Sequence, residues 1–311
     1  MKKTTQRKHI SIAYSPDTDD AFMIEALRSG AIAQDDFDFT FHIGDIQELN
    51  ELARSGRFDV TAISVAAWPA IRSEYQLMPL GASIGDGYGP AVVVHPDGPM
   101  GRMFPGSESG QERPAGSPEL MTALRGKKIA VPGLATSAYF AARVLIGDFV
   151  PVATPFLEIA PAVERGDVDA GILIHERQLD AAGLKLVCDL GAAWQKRFAL
   201  PLPLGANAIR RSLGPETISR LNALYRSSID YGLANRSATL QRALAAAVTP
   251  GIDMATGDRY ISMYVNADTA APGGRVLQAI ETFYAAALAT GAAPGFDVKV
   301  EPELFYLDSR A

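Results

Sequence analysis

Residues 165–176 read RGDVDAGILIHE. Gly166 stops one element, a short run of small and apolar residues follows, and the run ends in two ionisable residues, His175 and Glu176. A short apolar run bounded by a turn residue predicts a buried strand. The chain holds only four histidines, so one placed at the end of such a strand calls for a reason. Upstream, residues 55–65 read SGRFDVTAISV, with Gly56 and Asp59 spaced as Gly166 and Asp169 are. The two stretches read as the third strands of two copies of one pattern.

Working back from each strand exposes the rest of the pattern. The first copy runs strand HISIAYSP (9–16), helix DDAFMIEALRSG (19–30), strand DFDFTFHIG (36–44), helix DIQELNELARSG (45–56), strand FDVTAISV (58–65). The second runs strand KKIAVPG (127–133), helix TSAYFAARVLIG (136–147), strand DFVPVATPF (148–156), helix LEIAPAVERG (157–166), strand VDAGILIHE (168–176). Each helix stops at a glycine, which takes the left-handed conformation past a helix end without steric cost. Two β-α-β-α-β units predict an α/β fold of two lobes, each a mainly parallel sheet with helices on its faces. A cleft then separates the lobes, and ligands of such sheets sit outside the carboxyl ends of the strands. That rule points to the turn after Tyr14, the residues around Ser64, the turn after Val131, and His175–Glu176.

The remaining segments set the expected boundaries. Residues 1–96 are assigned to the first part of lobe one, 120–203 to lobe two, and 204–311 to a return into lobe one with C-terminal helices. Between the lobes, 97–119 is dense in Gly, Pro and Ser without periodicity and reads as a mobile loop. LPLPLGANAIRR (200–211) reads as the strand that crosses back.

Composition narrows the function classes. The 311 residues are 48% hydrophobic and 21% charged, an ordinary globular balance that can bury a real core. A net charge of −6 argues against a nucleic-acid surface. The single cysteine, Cys188, excludes an internal disulfide and argues against a thiolate metal site. No stretch approaches the roughly 18 continuous apolar residues of a membrane span. The start, MKKTTQRKHISIAYSPDTDD, is basic but lacks a secretory apolar region, so a cytoplasmic protein is expected.

Each candidate residue has a functional and a plain reading. A neutral imidazole suits proton abstraction near pH 7, and a strand end aims His175 at the cleft; a histidine satisfied by backbone at a domain seam is the plain alternative. Glu176 points to the other side of its strand and braces a loop as readily as it touches substrate. In VPGLATSAYF (131–140), Thr136 or Ser137 opens a helix whose free N–H groups suit a carboxylate or phosphate, though simple capping needs no ligand. In YSPDTDDAF (14–22), Asp17, Asp19 and Asp20 start a helix, where acids also suit the dipole; no ligand set for a metal is legible. In GASIGDGYGP (81–90), Gly85, Gly87 and Gly89 permit close approach of backbone to a ligand, and Tyr88 could cover the cleft. Asn266 reads as a helix-terminal polar residue. His9, His42 and His95 read as structural. No nucleophile elbow is present.

Taken together, GDGYGP, VPGLATSAYF, RGDVDAGILIHE, VCDLGAAW and LPLPLGANAIRR make the chain resemble the 1,4-dihydroxy-6-naphthoate synthases of the futalosine route to menaquinone, over most of its length. The resemblance implies a two-lobed, periplasmic-binding-protein-like (type II) fold. It implies a lyase that converts cyclic dehypoxanthine futalosine to 1,4-dihydroxy-6-naphthoate and releases dihydroxyacetone, with no cofactor. The family's general base falls on His175. Its substrate contacts fall on Ala62, Ile63 and Ser64 and on Thr136 and Ser137; Gly87 and Asp17 are added from the residue reading above. The partner expected is a small-molecule substrate, with no nucleic acid or membrane, and the family's habit is a homodimer.

The main alternative is a non-catalytic protein of the same fold that binds small carboxylates. Two others are the chorismate-dehydrating enzyme of the same pathway, against which LIHE argues, and a ligand-sensing domain, which should bring a DNA-binding helix pair that is not seen.

Overall fold

The computed structural model describes residues 7–34, 37–106, 113–246 and 251–292. The chain opens with β1 (Lys8–Tyr14), α1 (Thr18–Arg28), β2 (Phe37–Ile43), α2 (Ile46–Arg54) and β3 (Val60–Ser64). Strands β4 (Tyr75–Leu77) and β5 (Ser83–Gly85) precede β6 (Ala91–Val94), and short helices α3 (Pro99–Met103) and α4 (Pro118–Leu124) follow. The pattern then recurs as β7 (Lys128–Val131), α5 (Ser137–Ile146), β8 (Val150–Ala153), α6 (Ile159–Glu164) and β9 (Ala170–Leu173). After β10 (Lys185–Asp189) and α7 (Leu190–Phe198) comes β11 (Leu202–Arg210). Helices α8 (Pro215–Ala234), α9 (Arg236–Ala246), α10 (Met254–Tyr264), α11 (Ala267–Ala270) and α12 (Gly274–Ala289) complete the described chain.

These strands form two sheets. The first is ordered β2-β1-β3-β11-β4 with β5 beside β11, and the second β10-β6-β9-β7-β8. In each, three strands of one repeat pair in parallel, and a strand from the other half of the chain lies antiparallel against the third. The return strand read at 200–211 is β11, paired antiparallel to β3, β4 and β5. The outward crossing comes earlier than the boundary at 96: β6 already belongs to the second sheet, against β9 and β10. Of the 97–119 stretch, residues 107–112 lie outside the described residues, and α3 and the start of α4 occupy part of the rest.

Burial explains why the third strands read as apolar runs. Every residue of β3 and of β9 is buried, because helices cover both faces of such a sheet. Gly171 shows how close the cover lies: a Cβ there would meet the Ile159 and Val163 side chains of α6 at 2.6 and 2.8 Å. On the first lobe, α1 is sandwiched by α8, α9 and α10, and Phe22, Leu27, Leu221, Tyr225, Ile229 and Ile261 share one core. Helix α12 instead packs on α5 and β11. Its Phe283 stacks on Phe140 and lies beside Trp194, while the Tyr284 hydroxyl donates to the Val65 carbonyl at 2.6 Å. The last helix therefore ties the second lobe to the turn that follows β3.

Candidate active site

The carboxyl ends of the repeat strands meet at one cleft. Its walls bring together Asp17, Ala62, Ile63, Ser64, Thr136, Ser137 and His175. Seven of the eight residues marked from the sequence therefore share one surface. The eighth, Gly87, does not line it. Gly87 has φ +83°, and a Cβ there would press on the Gln195 side chain at 2.8 Å. Its neighbours Gly85 and Gly89 serve close backbone contacts with Tyr88 and with Gly191 at the start of α7. The glycines let two protein segments approach each other rather than a ligand. Tyr88 is likewise held in place, its hydroxyl on the Met263 carbonyl and its ring edge-on to Tyr264. Asn266 caps α11, as a helix-terminal polar residue should.

On the first lobe, β3 ends at Ser64, and Asn50 of α2 fixes it. Ser64 N–H donates to Asn50 Oδ1 at 2.8 Å, and Asn50 Nδ2 donates to Ser64 Oγ at 3.1 Å. The same Nδ2 reaches across to the Ala135 carbonyl at 3.2 Å, and Ala135 N–H donates to Gln47 Oε1 at 3.0 Å. The turn ahead of α5 is thus docked on α2. Thr136 caps α5, accepting Tyr139 N–H, while its own hydroxyl donates to the Gly133 carbonyl at 2.8 Å. Ser137 donates to the Leu204 carbonyl at 2.6 Å and accepts Ala66 N–H at 3.1 Å. Both hydroxyls are occupied within the protein. What the α5 start can offer a ligand is the first N–H groups of the helix, which have no intrahelical acceptor.

His175 stands opposite. It is 2% exposed and has φ 56° and ψ −168°, a backbone region close to glycine-only and worth about 1–3 kcal/mol of strain. Phe156 packs edge-on against the ring at 4.7 Å between centroids. Arg177 N–H lies 3.2 Å from Nδ1, and Glu176 Oε2 lies 3.6 Å from the same nitrogen. Glu176 is fully buried, and its Oε1 accepts both Thr18 N–H, at 2.7 Å, and the Thr18 hydroxyl. Burial would raise the Glu176 carboxyl, but His175 beside it and the hydrogen bonds from Thr18 outweigh that and hold the group below its ordinary value.

The start of α1 forms the acidic wall. Asp19 is 4% exposed and accepts the Ser83 hydroxyl at 2.8 Å. Burial, with the Asp20 charge beside it, pushes Asp19 up to about 8. Asp17 is raised well above its usual value by burial and by the charges of Glu176 and Asp19. Asp17 stands at the N-cap of α1, yet its side chain makes no capping bond. Among the described residues no group of three or more His, Cys, Asp or Glu side chains could hold a metal ion.

Sequence reasoning missed Gln178, Tyr260 and Tyr264, which complete the wall. The tyrosines sit one turn apart on α10, a spacing that reads as core. Gln178 donates to the Tyr264 hydroxyl at 3.3 Å, and its Oε1 is buried with no partner among the described residues.

A family model described as menaquinone biosynthesis matches residues 10–289. The chain belongs to that family. Within this family frame, it is 34% identical over 298 residues to the 1,4-dihydroxy-6-naphthoate synthase of Streptomyces coelicolor, covering 92% of this chain and 95% of that one. It is 33% identical over 288 residues to the synthase of the same name from Thermus thermophilus, covering 91% and 96%. A crystal structure of an Archaeoglobus fulgidus protein matches with a TM-score of 0.78 at 35% identity, over 93% of this chain and 99% of that one. The alkanesulfonate-binding protein of Xanthomonas axonopodis matches with a TM-score of 0.66 at 12% identity, over 93% and 95%. The last likeness carries the fold alone: α/β and two-lobed, as the repeat predicted, and periplasmic-binding-protein-like, as the resemblance implied. It lends the solute-binding alternative no functional support, whereas both family relatives are enzymes by name. Among the described residues no helix is long and apolar enough to cross a membrane.

Proposed function

We propose that the chain is a 1,4-dihydroxy-6-naphthoate synthase of menaquinone biosynthesis. In this reading it is a lyase that takes cyclic dehypoxanthine futalosine to 1,4-dihydroxy-6-naphthoate and dihydroxyacetone without a cofactor. The observation that carries it is His175, a buried imidazole held on strained backbone at a strand end, facing the cleft in a chain of this family.

The cleft suits the parts of such a substrate. Ile46, Ile63, Ile174 and Leu204 offer apolar walls to the fused rings. The start of α5 offers N–H groups to the carboxylate. Asp17, Asp19 and Ser83 offer donors and acceptors to the hydroxylated ring. His175 takes an activated proton, which begins the fragmentation. The fit of substrate between two lobes keeps water from the intermediate. The enzyme works in the cytoplasm as a homodimer in this reading, and light scattering of the purified protein checks the second part.

The test is product formation from cyclic dehypoxanthine futalosine by the purified protein, with chelator present and no cofactor added. The wild type is expected to release the naphthoate, and His175→Ala to lose about 10²- to 10⁴-fold in kcat while still binding substrate by calorimetry. Substrate binding without product from the wild type overturns the lyase reading and favours the solute-binding alternative.

A further inference from the structure

The hydrogen bonds of His175 pose a choice. Nδ1 lies within hydrogen-bond distance of Arg177 N–H, at 3.2 Å, and 3.6 Å from Glu176 Oε2, just beyond that distance. If Nδ1 accepts from Arg177, the neutral ring carries its proton on Nε2, and Nε2 cannot act as a base. If Nδ1 carries the proton and donates to Glu176, Nε2 keeps a free lone pair. His175 lines the cleft, and the polar contacts of its ring are those at Nδ1.

Glu176 is built for the second arrangement. Its Oε2 is buried with no hydrogen bond of its own, while Oε1 is doubly occupied by Thr18. A buried carboxylate oxygen left bare is costly, and His175 Nδ1 stands 3.6 Å from it. Thr18 begins α1 and Glu176 follows β9, so one carboxylate spans the two lobes. Resting on the reading of His175 as the base, we propose that Glu176 is a positioning residue that holds His175 in the Nδ1–H tautomer, with Thr18 from the opposite lobe fixing the carboxylate for that task. The base is then ready only when the lobes are together.

The surrounding charges agree with this assignment. The titratable groups facing the pair are Asp17 and Asp19 on α1, Asp45 at the start of α2, and Tyr260 on α10. Asp17 is raised by burial and by the Glu176 charge, and Asp45 by burial. Glu176 is the one carboxyl of the cluster held below its ordinary value. Proton sharing thus leaves the negative charge on the residue next to the imidazole.

Glutamine at 176 keeps an oxygen for Thr18 and presents an N–H₂ to Nδ1, which then must accept. The Glu176→Gln enzyme should lose about 10²- to 10⁴-fold in kcat, the range that general-base catalysis supplies, with KM changed less than about threefold. Nitrogen NMR of histidine-labelled protein, with His175→Ala to assign the resonance, reads the tautomer directly. Nδ1–H in the wild type and Nε2–H in Glu176→Gln support the proposal; Nε2–H in the substrate-bound wild type overturns it. If Glu176→Gln fails to fold, Thr18→Val and Thr18→Ser serve: the valine variant should lower kcat and mix the tautomers, and the serine variant should restore both. Equal kcat in all Thr18 forms overturns the role of Thr18. Full activity in His175→Ala is a different failure, that of the base assignment itself.

Discussion

Asp59 and Asp169 hold the same post in the two halves of the chain. Asp59 Oδ2 accepts Ser11 N–H at 2.9 Å and the Ser11 hydroxyl at 2.8 Å, tying the entry of β3 to β1. Asp169 Oδ2 accepts Lys128 N–H at 2.9 Å, tying the entry of β9 to β7. The backbone repeats the bond: Asp59 N–H donates to Ser11 O, and Asp169 N–H to Lys128 O. The equal Gly-to-Asp spacing in the sequence is this shared geometry. Asp59→Ala removes two partly buried bonds and should cost about 1–3 kcal/mol, whereas Asp169→Ala removes one exposed bond and should cost about 0.5–1.5 kcal/mol. Urea unfolding of both variants checks the order; an equal or reversed pair of losses rejects this account of the repeat.

The backbone of His175 leads to an unusual stability order. Glycine normally costs about 0.5–1 kcal/mol against alanine within regular structure. At φ 56° and ψ −168° the balance reverses, because alanine keeps a Cβ in a region that suits glycine alone. His175→Gly should therefore unfold at a higher temperature than His175→Ala, although both lack the imidazole and both should be inactive as base variants. Calorimetry of the two settles it, and a lower melting temperature for the glycine variant removes the strain argument.

What the sequence disclosed follows the range of each signal. Helix stops, apolar third strands and strand-end residues are local, so the repeat, the cleft and the positions of Ser64, Thr136 and His175 could be read. The sheet that β6 joins is a long-range choice, and nothing within AVVV distinguishes a last strand of lobe one from a first strand of lobe two. Gly87 misled because a glycine signals close approach without naming what approaches. Tyr260 and Tyr264 stayed hidden because aromatic residues at helical spacing look like core in any fold. The Asp17–Asp20 run was visible, but its burial was not: only the packing of Ser83, Tyr260 and Glu176 around it turns a helix start into a proton-holding wall.

That wall makes stability depend on pH in the less common direction. Asp19 is pushed up to about 8 by burial and the Asp20 charge, above the unfolded value. A carboxyl raised in the folded state binds its proton more tightly there, so its contribution is complete below the unfolded pKa and is lost as pH rises through the folded one. The melting temperature should fall between about pH 4 and pH 8, and Asp19→Asn, which needs no proton, should flatten that slope. A wild-type melting temperature that is level or rising over this range contradicts a protonated Asp19.

Arg113 ties the segment ahead of α4 to the core. Its Nε pairs with Asp189, and its Nη2 donates to the Gly89 carbonyl at 2.8 Å. Asp189 is wholly buried and also caps α7 through Ala192 N–H at 2.9 Å. Burial already raises the Asp189 carboxyl, and Arg113 is the opposing influence. Arg113→Ala leaves a buried carboxylate without its counter-charge and should cost about 3–5 kcal/mol. Adding Asp189→Asn keeps the cap oxygen and deletes the stranded charge, so the double variant should be more stable than Arg113→Ala alone. A double variant that is no more stable would mean that the arginine acts through its packing and its carbonyl contacts, not through the charge of Asp189.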